Sequence, residues 1–429
     1  MFFQQIQLKK CFFILLGFFL LPVAAIGQAE LEYANRVYSE NVRTVQLYPA
    51  GDPMGYPIIR LDTDETLVLE FDDLAAESKD YYFAFIHCTP DWKPSDLMET
   101  EYIDGFSEDE ITDYEYSFNT LKDYNHYRAE FPTDFYMPRL SGNYLLLVFE
   151  DYDRSKPVLT RRFRVLDEKV HLSVELKRSE LVSKADCCTQ FRVNVRDVSA
   201  GATADVRETA LYIHRNNSER FALGNLQPDF IQGRVLVYNN PRELFLPGAN
   251  EYRYTNLKNR KRQTDRVAEV GFIEPYYIFT LYPDIHKAHI YSNTEDINGK
   301  YLITSDHTDY PKTEAEYVLA DFHFRVKEAF SKDLYLYGEL TNHEISPENK
   351  MEYDAERGMY HLRKMLKQGF YNYYYALYDP LTGEISLSET EGNFYQTEND
   401  FNLYFYYKAP GDIYHQLVGY ELVNSQKTM

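Results

Sequence analysis

The sequence predicts an all-β protein built from tandem immunoglobulin-like β-sandwich domains, and three observations lead there. The chain holds 40 Tyr and 28 Phe among 429 residues, and aromatic residues are enriched in strands and on half-buried faces. Its apolar runs are strand-sized and recur between turn-forming segments, with little helical periodicity. Hydrophobic residues make up 44% of a chain of formal charge −22, which permits a large core without metal or disulfide support. The acidic balance excludes nucleic acid as the default ligand. At about 150 residues per domain, the length implies about three domains.

The chain opens with a leader. Lys9 and Lys10 precede an uncharged apolar run that ends at Ala25-Ile26-Gly27, the small-residue pattern a signal peptidase accepts. Residues 1–27 therefore read as a cleaved signal peptide. Pro22 interrupts the run, which at about 17 residues is at the short edge for a membrane span of about 20, so cleavage is favoured over a retained anchor. No later stretch reaches that length, so direct membrane insertion is not expected. Loss of Lys9 and Lys10 takes the charge from −22 to −24, and such a surface is repelled by anionic lipid. Cys88, Cys187 and Cys188 then remain, too few for a disulfide scaffold; the adjacent pair reads as small packed residues.

Residues 28–168 read as the first sandwich. Leu67, Leu69 and Phe71 alternate with polar partners, as on a strand with one wet face, whereas Tyr81–Cys88 is almost continuously apolar, as on a strand covered on both sides. Gly142–Glu150 and Arg161–Val165 follow as strands, joined by the turn Asp151-Tyr152-Asp153-Arg154-Ser155. Residues 169–311 repeat this style in Val170–Leu176, Gln190–Val195, Thr209–His214 and Arg234–Tyr238. Asn298-Gly299 predicts a hairpin between Ile290-Tyr291 and Tyr301–Ile303. Residues 312–429 form a third unit. The order Tyr337-Gly338-Glu339-Leu340-Thr341-Asn342, Met351–Asp354, Gly358-Met359-Tyr360 and Gly369-Phe370-Tyr371 resembles immunoglobulin-like starch-binding and enzyme-linker modules. Its many Tyr residues are read first as core.

Catalytic motifs are missing from the sequence: no phosphate loop, no G-x-S-x-G elbow and no H-E-x-x-H occurs. His87 and Cys88 are strand neighbours and point to opposite faces, so they do not form a nucleophile pair. No enzyme, metal, cofactor or small-molecule substrate is expected. The informative segment is Pro90–Phe131, long for a sandwich connection, where loops usually have about four to six residues. It sets Trp92, Tyr102, Phe106, Tyr114, Tyr116, Phe118, Tyr124 and Tyr127 among acids that include Asp104. Aromatic anchors in an acidic frame suit a protein-binding face; the plainer reading is that the rings cover the end of the sandwich.

Several segments then occur together in order. They are Arg43–Pro49, Tyr56–Ile59, Phe71–Leu74, Tyr81–Cys88 with Asp91–Ser95, Glu101–Phe106, Asp113–Thr120, Tyr124–Tyr127, Ser141–Tyr144 and Leu159–Phe163. This run resembles the plug protein family of the type IX secretion system, densely over residues 43–166 and more loosely to about residue 424. The resemblance implies a non-enzymatic periplasmic subunit that binds and seals the periplasmic mouth of a large outer-membrane translocon barrel. An exported carbohydrate-binding protein is the alternative; a chain that is itself an outer-membrane barrel fits less well, because Gln426-Lys427-Thr428-Met429 lacks a terminal aromatic.

Overall fold

The computed structural model describes residues 31–75, 77–197, 201 and 205–428; the signal peptide read at 1–27 lies outside them. Strands account for 48% and helices for 5%, and the strands pack as three β-sandwiches. In the first, Arg36–Val37, Pro157–Leu166, Gly142–Glu150, Tyr81–Cys88 and Asp109–Glu110 form one sheet, with Ile58–Arg60 parallel to Pro157–Leu166. Val42–Pro49, Leu67–Asp73, Asn125–Phe131 and Asp113–Tyr116 form the other, in that order. Phe71, Phe83, Phe85, Tyr144 and Phe163 meet between them. The intervening residues Tyr82, Ala84, Leu147 and Phe149 form a second cluster, which is why Tyr81–Cys88 is apolar throughout.

The second sandwich is discontinuous. Val170–Arg178, Cys188–Asp197, Val235–Tyr238 and Phe230–Gln232 make one sheet, while Thr209–Arg215 and Ala222–Leu226 pair with Asp400–Tyr407 and Gln416–Asn424 to make the other. The third sandwich, from Arg253 to Ser386, is inserted between these two parts. The expected boundary at 311/312 is thereby corrected. A collinear reading of strands carries no signal for a pairing such as Ile213 with Leu403. The expected 290–303 hairpin is also absent: Ile290-Tyr291 is irregular, and Tyr301–Ile303 pairs instead with Gly369–Tyr371. Backbone donors of the intervening segment are met by side chains, such as Ile297 N on Asn372 Oδ1 at 2.7 Å. The tyrosines of the Gly369–Tyr378 strand at 371, 373, 374 and 375 are buried and pack the sandwich.

Side-chain contacts lock the first sandwich to both others. Towards the second, Trp92 Nε1 donates to Glu219 Oε1 at 2.9 Å, Arg164 Nη2 meets the same oxygen at 3.0 Å, and Tyr406 OH donates to Asn143 Oδ1 at 2.6 Å. Towards the third, Asp72 accepts from Lys367 Nζ at 2.7 Å and from Tyr317 OH at 2.6 Å. Tyr124 OH donates to Ala315 O at 3.0 Å. These are charge-assisted or fully enclosed bonds, the class that fixes geometry most strongly.

Candidate protein-interaction surface

Strand alternation decides which of the aromatics of Pro90–Phe131 reach solvent. Asp113–Tyr116 is the last strand of its sheet, and each of its four residues is exposed. Tyr114 lies opposite Tyr127, which lies opposite Phe71. The three rings form a row: Phe71 stacks on Tyr127 at 5.2 Å, and Tyr127 on Tyr114 at 5.4 Å. Phe71 and Tyr127 are interior, whereas Tyr114 is 41% and Tyr116 62% exposed. The core-facing row thus runs past the cover of the opposite sheet and ends in solvent.

A second exposed pair sits on the short ribbon formed by Ile103–Gly105 and Tyr136–Pro138. Gly105 has φ +105°, and a Cβ there would lie 1.8 Å from Phe135 O. Only glycine lets the two backbones approach closely enough for Phe106 N to donate to Phe135 O at 3.0 Å. Phe106 and Phe135 are each 67% exposed as a result. Asp104 is exposed beside them.

The other four residues singled out in the sequence are corrected. Trp92, Tyr102, Tyr124 and Tyr127 are buried and offer no free face. Trp92 holds a left-handed backbone, φ +59°, in the turn where its N–H donates to Thr89 O at 2.9 Å. Its ring lies under the guanidinium groups of Arg162 and Arg164, at 4.4 and 4.9 Å. Tyr102 OH donates to Phe85 O within the first core. Tyr124 fills the joint to the third sandwich, with the Lys367 ammonium 4.1 Å above its ring. Composition identified the aromatic segment, but it could not divide the rings between joint and surface. Phe118, named with the segment's aromatics, is exposed, and so is Leu121. Phe135 was missed, although a Phe following Thr133-Asp134 in a turn is an anomaly that sequence shows.

The His87–Cys88 pair has the geometry of a packed strand. His87 Nδ1 pairs with Ser95 Oγ at 2.9 Å, and burial lowers the imidazole to about 4. Burial raises the Cys88 thiol to about 12, and it packs with Trp92 and Leu145 on the other face. Burial and its neighbour Cys187 likewise raise Cys188 to about 12. No helix among the described residues is long and apolar enough to cross a membrane.

Residues 42–167 match the family described as "Type 9 secretion system plug protein 1st domain". Among solved structures, a hypothetical protein from Parabacteroides merdae ATCC 43184 superposes with a TM-score of 0.88 at 28% identity, covering 92% of this chain and 100% of that one. A Salmonella alpha-2-macroglobulin reacted with methylamine has a TM-score of 0.20 at 9% identity, covering 91% of this chain and 28% of that one. A search of curated proteins finds no match.

Proposed function

We propose, from the premise that residues 42–167 form the first domain of a type 9 secretion system plug protein, that the chain is a non-enzymatic plug subunit. It is exported to the periplasm and closes the periplasmic opening of the outer-membrane translocon barrel through protein contacts. The match over the first sandwich carries the reading. Two features of the fold suit it. A wide water-filled barrel leaks unless a stiff body covers its mouth, and a first sandwich tied to both others by hydrogen-bonded ion pairs, Arg164 with Glu219 and Lys367 with Asp72, is stiff. Phe106, Phe135, Tyr114 and Tyr116 supply exposed aromatic anchors of the kind that dominate interface energetics, on the domain that carries the family match.

The test is affinity capture of the tagged mature protein from detergent-solubilised membranes of its source, with mass spectrometry of what is retained. Recovery of one very large outer-membrane barrel is expected, and Phe106→Ala combined with Tyr116→Ala lowers that recovery at unchanged thermal stability. Capture of no outer-membrane protein would overturn the reading.

A further inference from the structure

We infer that the open edge of Asp113–Tyr116 accepts an extended segment of the protein's partner as an added β-strand, one that alternates basic with apolar or aromatic residues. The inference rests on the reading of the chain as a binding subunit and adds the chemistry of what it holds.

Strand order supplies the first part of the argument. Asp113–Tyr116 pairs with Asn125–Phe131 on one side, and no strand among the described residues pairs with the other. An unpaired row of backbone donors and acceptors is a template for strand addition. The two faces of the strand supply the second part. On one, the row Phe71, Tyr127, Tyr114 ends in half-exposed rings. A strand docked at the usual spacing of about 4.8 Å would continue that row with its own apolar side chain.

On the other face the charges alternate across the sheet. Arg43 lies opposite Asp72, Asp72 opposite His126, and His126 opposite Glu115. In the neighbouring row Glu70 lies opposite Arg128, and Arg128 opposite Asp113. Both rows therefore end in an acid at the open edge, where the next position calls for a base. Asp113 has only a 3.7 Å contact with Arg128, which is drawn closer to Glu130 at 2.5 Å, and Glu115 makes no ion pair among the described residues. A second copy of this chain would set Asp113 and Glu115 against their own kind, an arrangement that is destabilising. The length of the added strand is bounded too. Ile111 N is bonded to Tyr81 O, and Phe118 N to Thr313 O of the third sandwich.

Fluorescence anisotropy of the mature full chain with labelled peptides tests this. One peptide alternates Lys or Arg with Val, and a second carries Glu at each basic position. The basic peptide is expected to bind, with hydrogen-exchange protection appearing at residues 113–116. Asp113→Lys with Glu115→Lys, both exposed positions, should weaken it by roughly 5- to 30-fold and transfer preference to the acidic peptide, given two cross-strand charge pairs turned repulsive. Equal binding of both peptides, no binding of the basic one, an unmoved preference in the double variant, or protection elsewhere would each overturn the inference. Membrane capture separates the two claims. If the barrel is recovered while the peptide rule fails, strand addition alone falls. If the peptide rule holds without the barrel, the plug reading alone falls.

Discussion

Trp92 and Tyr116 show how the same residue class divides by environment. The Trp92 ring is enclosed by Arg162 and Arg164 and anchored by Glu219, so its removal leaves a cavity and takes the hydrogen bond from a carboxylate shared with Arg164. Trp92→Ala is expected to cost about 3–5 kcal/mol of stability, read as a drop in Tm. Tyr116→Ala removes an exposed ring that meets the Tyr114 ring edge-on at 5.8 Å, so its stability change should stay within about 0.5 kcal/mol while partner recovery falls. A Trp92→Ala variant with unchanged Tm would contradict the assignment of this residue to the joint. Sequence revealed that Pro90–Phe131 is aromatic in an acidic frame. It could not show that the partner of Trp92 is Glu219, because that carboxylate arrives from another sandwich and leaves no periodicity.

Among the elements, the strands Leu67–Asp73 and Asn125–Phe131 carry an ionic joint to the third sandwich. Burial alone would lower His126, but its 2.7 Å bond to Asp72 and the nearby Glu70 carboxylate raise it above 6.5. Burial alone would raise Glu70; the His126 imidazole 3.8 Å away and bonds from Lys312 and Tyr48 instead bring it to about 2. Asp72 is lowered in the same way, chiefly by the charge of Lys367. The raised His126 contributes stability that is complete below about 6.5 and is lost as pH rises through its folded value. The lowered acids contribute stability that is complete above their unfolded values of about 4 and is lost as pH falls, near 2 for Glu70. The joint is therefore strongest between about pH 4 and 6.5. Thermal unfolding across pH should show a decline above that window which His126→Gln flattens; identical profiles would contradict the account. Lys367→Met leaves Asp72 buried with its strongest counter-charge gone and should cost about 3–5 kcal/mol. The strands themselves were largely legible, and the continuous run Tyr81–Cys88 translates directly into two-sided cover. The alternation of Leu67, Leu69 and Phe71 gave the core face of its strand, but the expected wet face is corrected: Val68, Glu70 and Asp72 are buried as well, where Tyr317 and Lys367 of the third sandwich meet Asp72. That Asp72 would serve a joint was not legible, because Lys367 lies in another sandwich far along the chain.

For the molecule as a whole, the fold class could be read and the chain path could not. Alternation shows that Thr209–Arg215 is a strand, but its partner Asp400–Tyr407 lies beyond an entire inserted sandwich. A fragment ending at residue 311 should consequently fail to fold its second unit, since Leu211 and Ile213 lose the cover of Leu403 and Phe405. Deleting the insertion should be tolerated. Ala249 O accepts from Phe394 N at 2.8 Å and from Thr397 Oγ1 at 2.9 Å, so a short glycine linker can replace residues 250–396 and leave the first two sandwiches intact by circular dichroism and amide NMR dispersion. The opposite pattern, a folded 311-residue fragment and an unfolded deletion variant, would contradict the discontinuous topology.

The most direct test of the central claim is site-specific photo-crosslinking in living cells of the source, with the reactive side chain placed at Tyr116 and, for comparison, at Val182, which is exposed on the second sandwich. The account predicts that Tyr116 captures one very large outer-membrane barrel protein and that Val182 captures it far less. Capture of no outer-membrane protein at Tyr116, or equal capture from both positions, would contradict a plug that binds through its first sandwich.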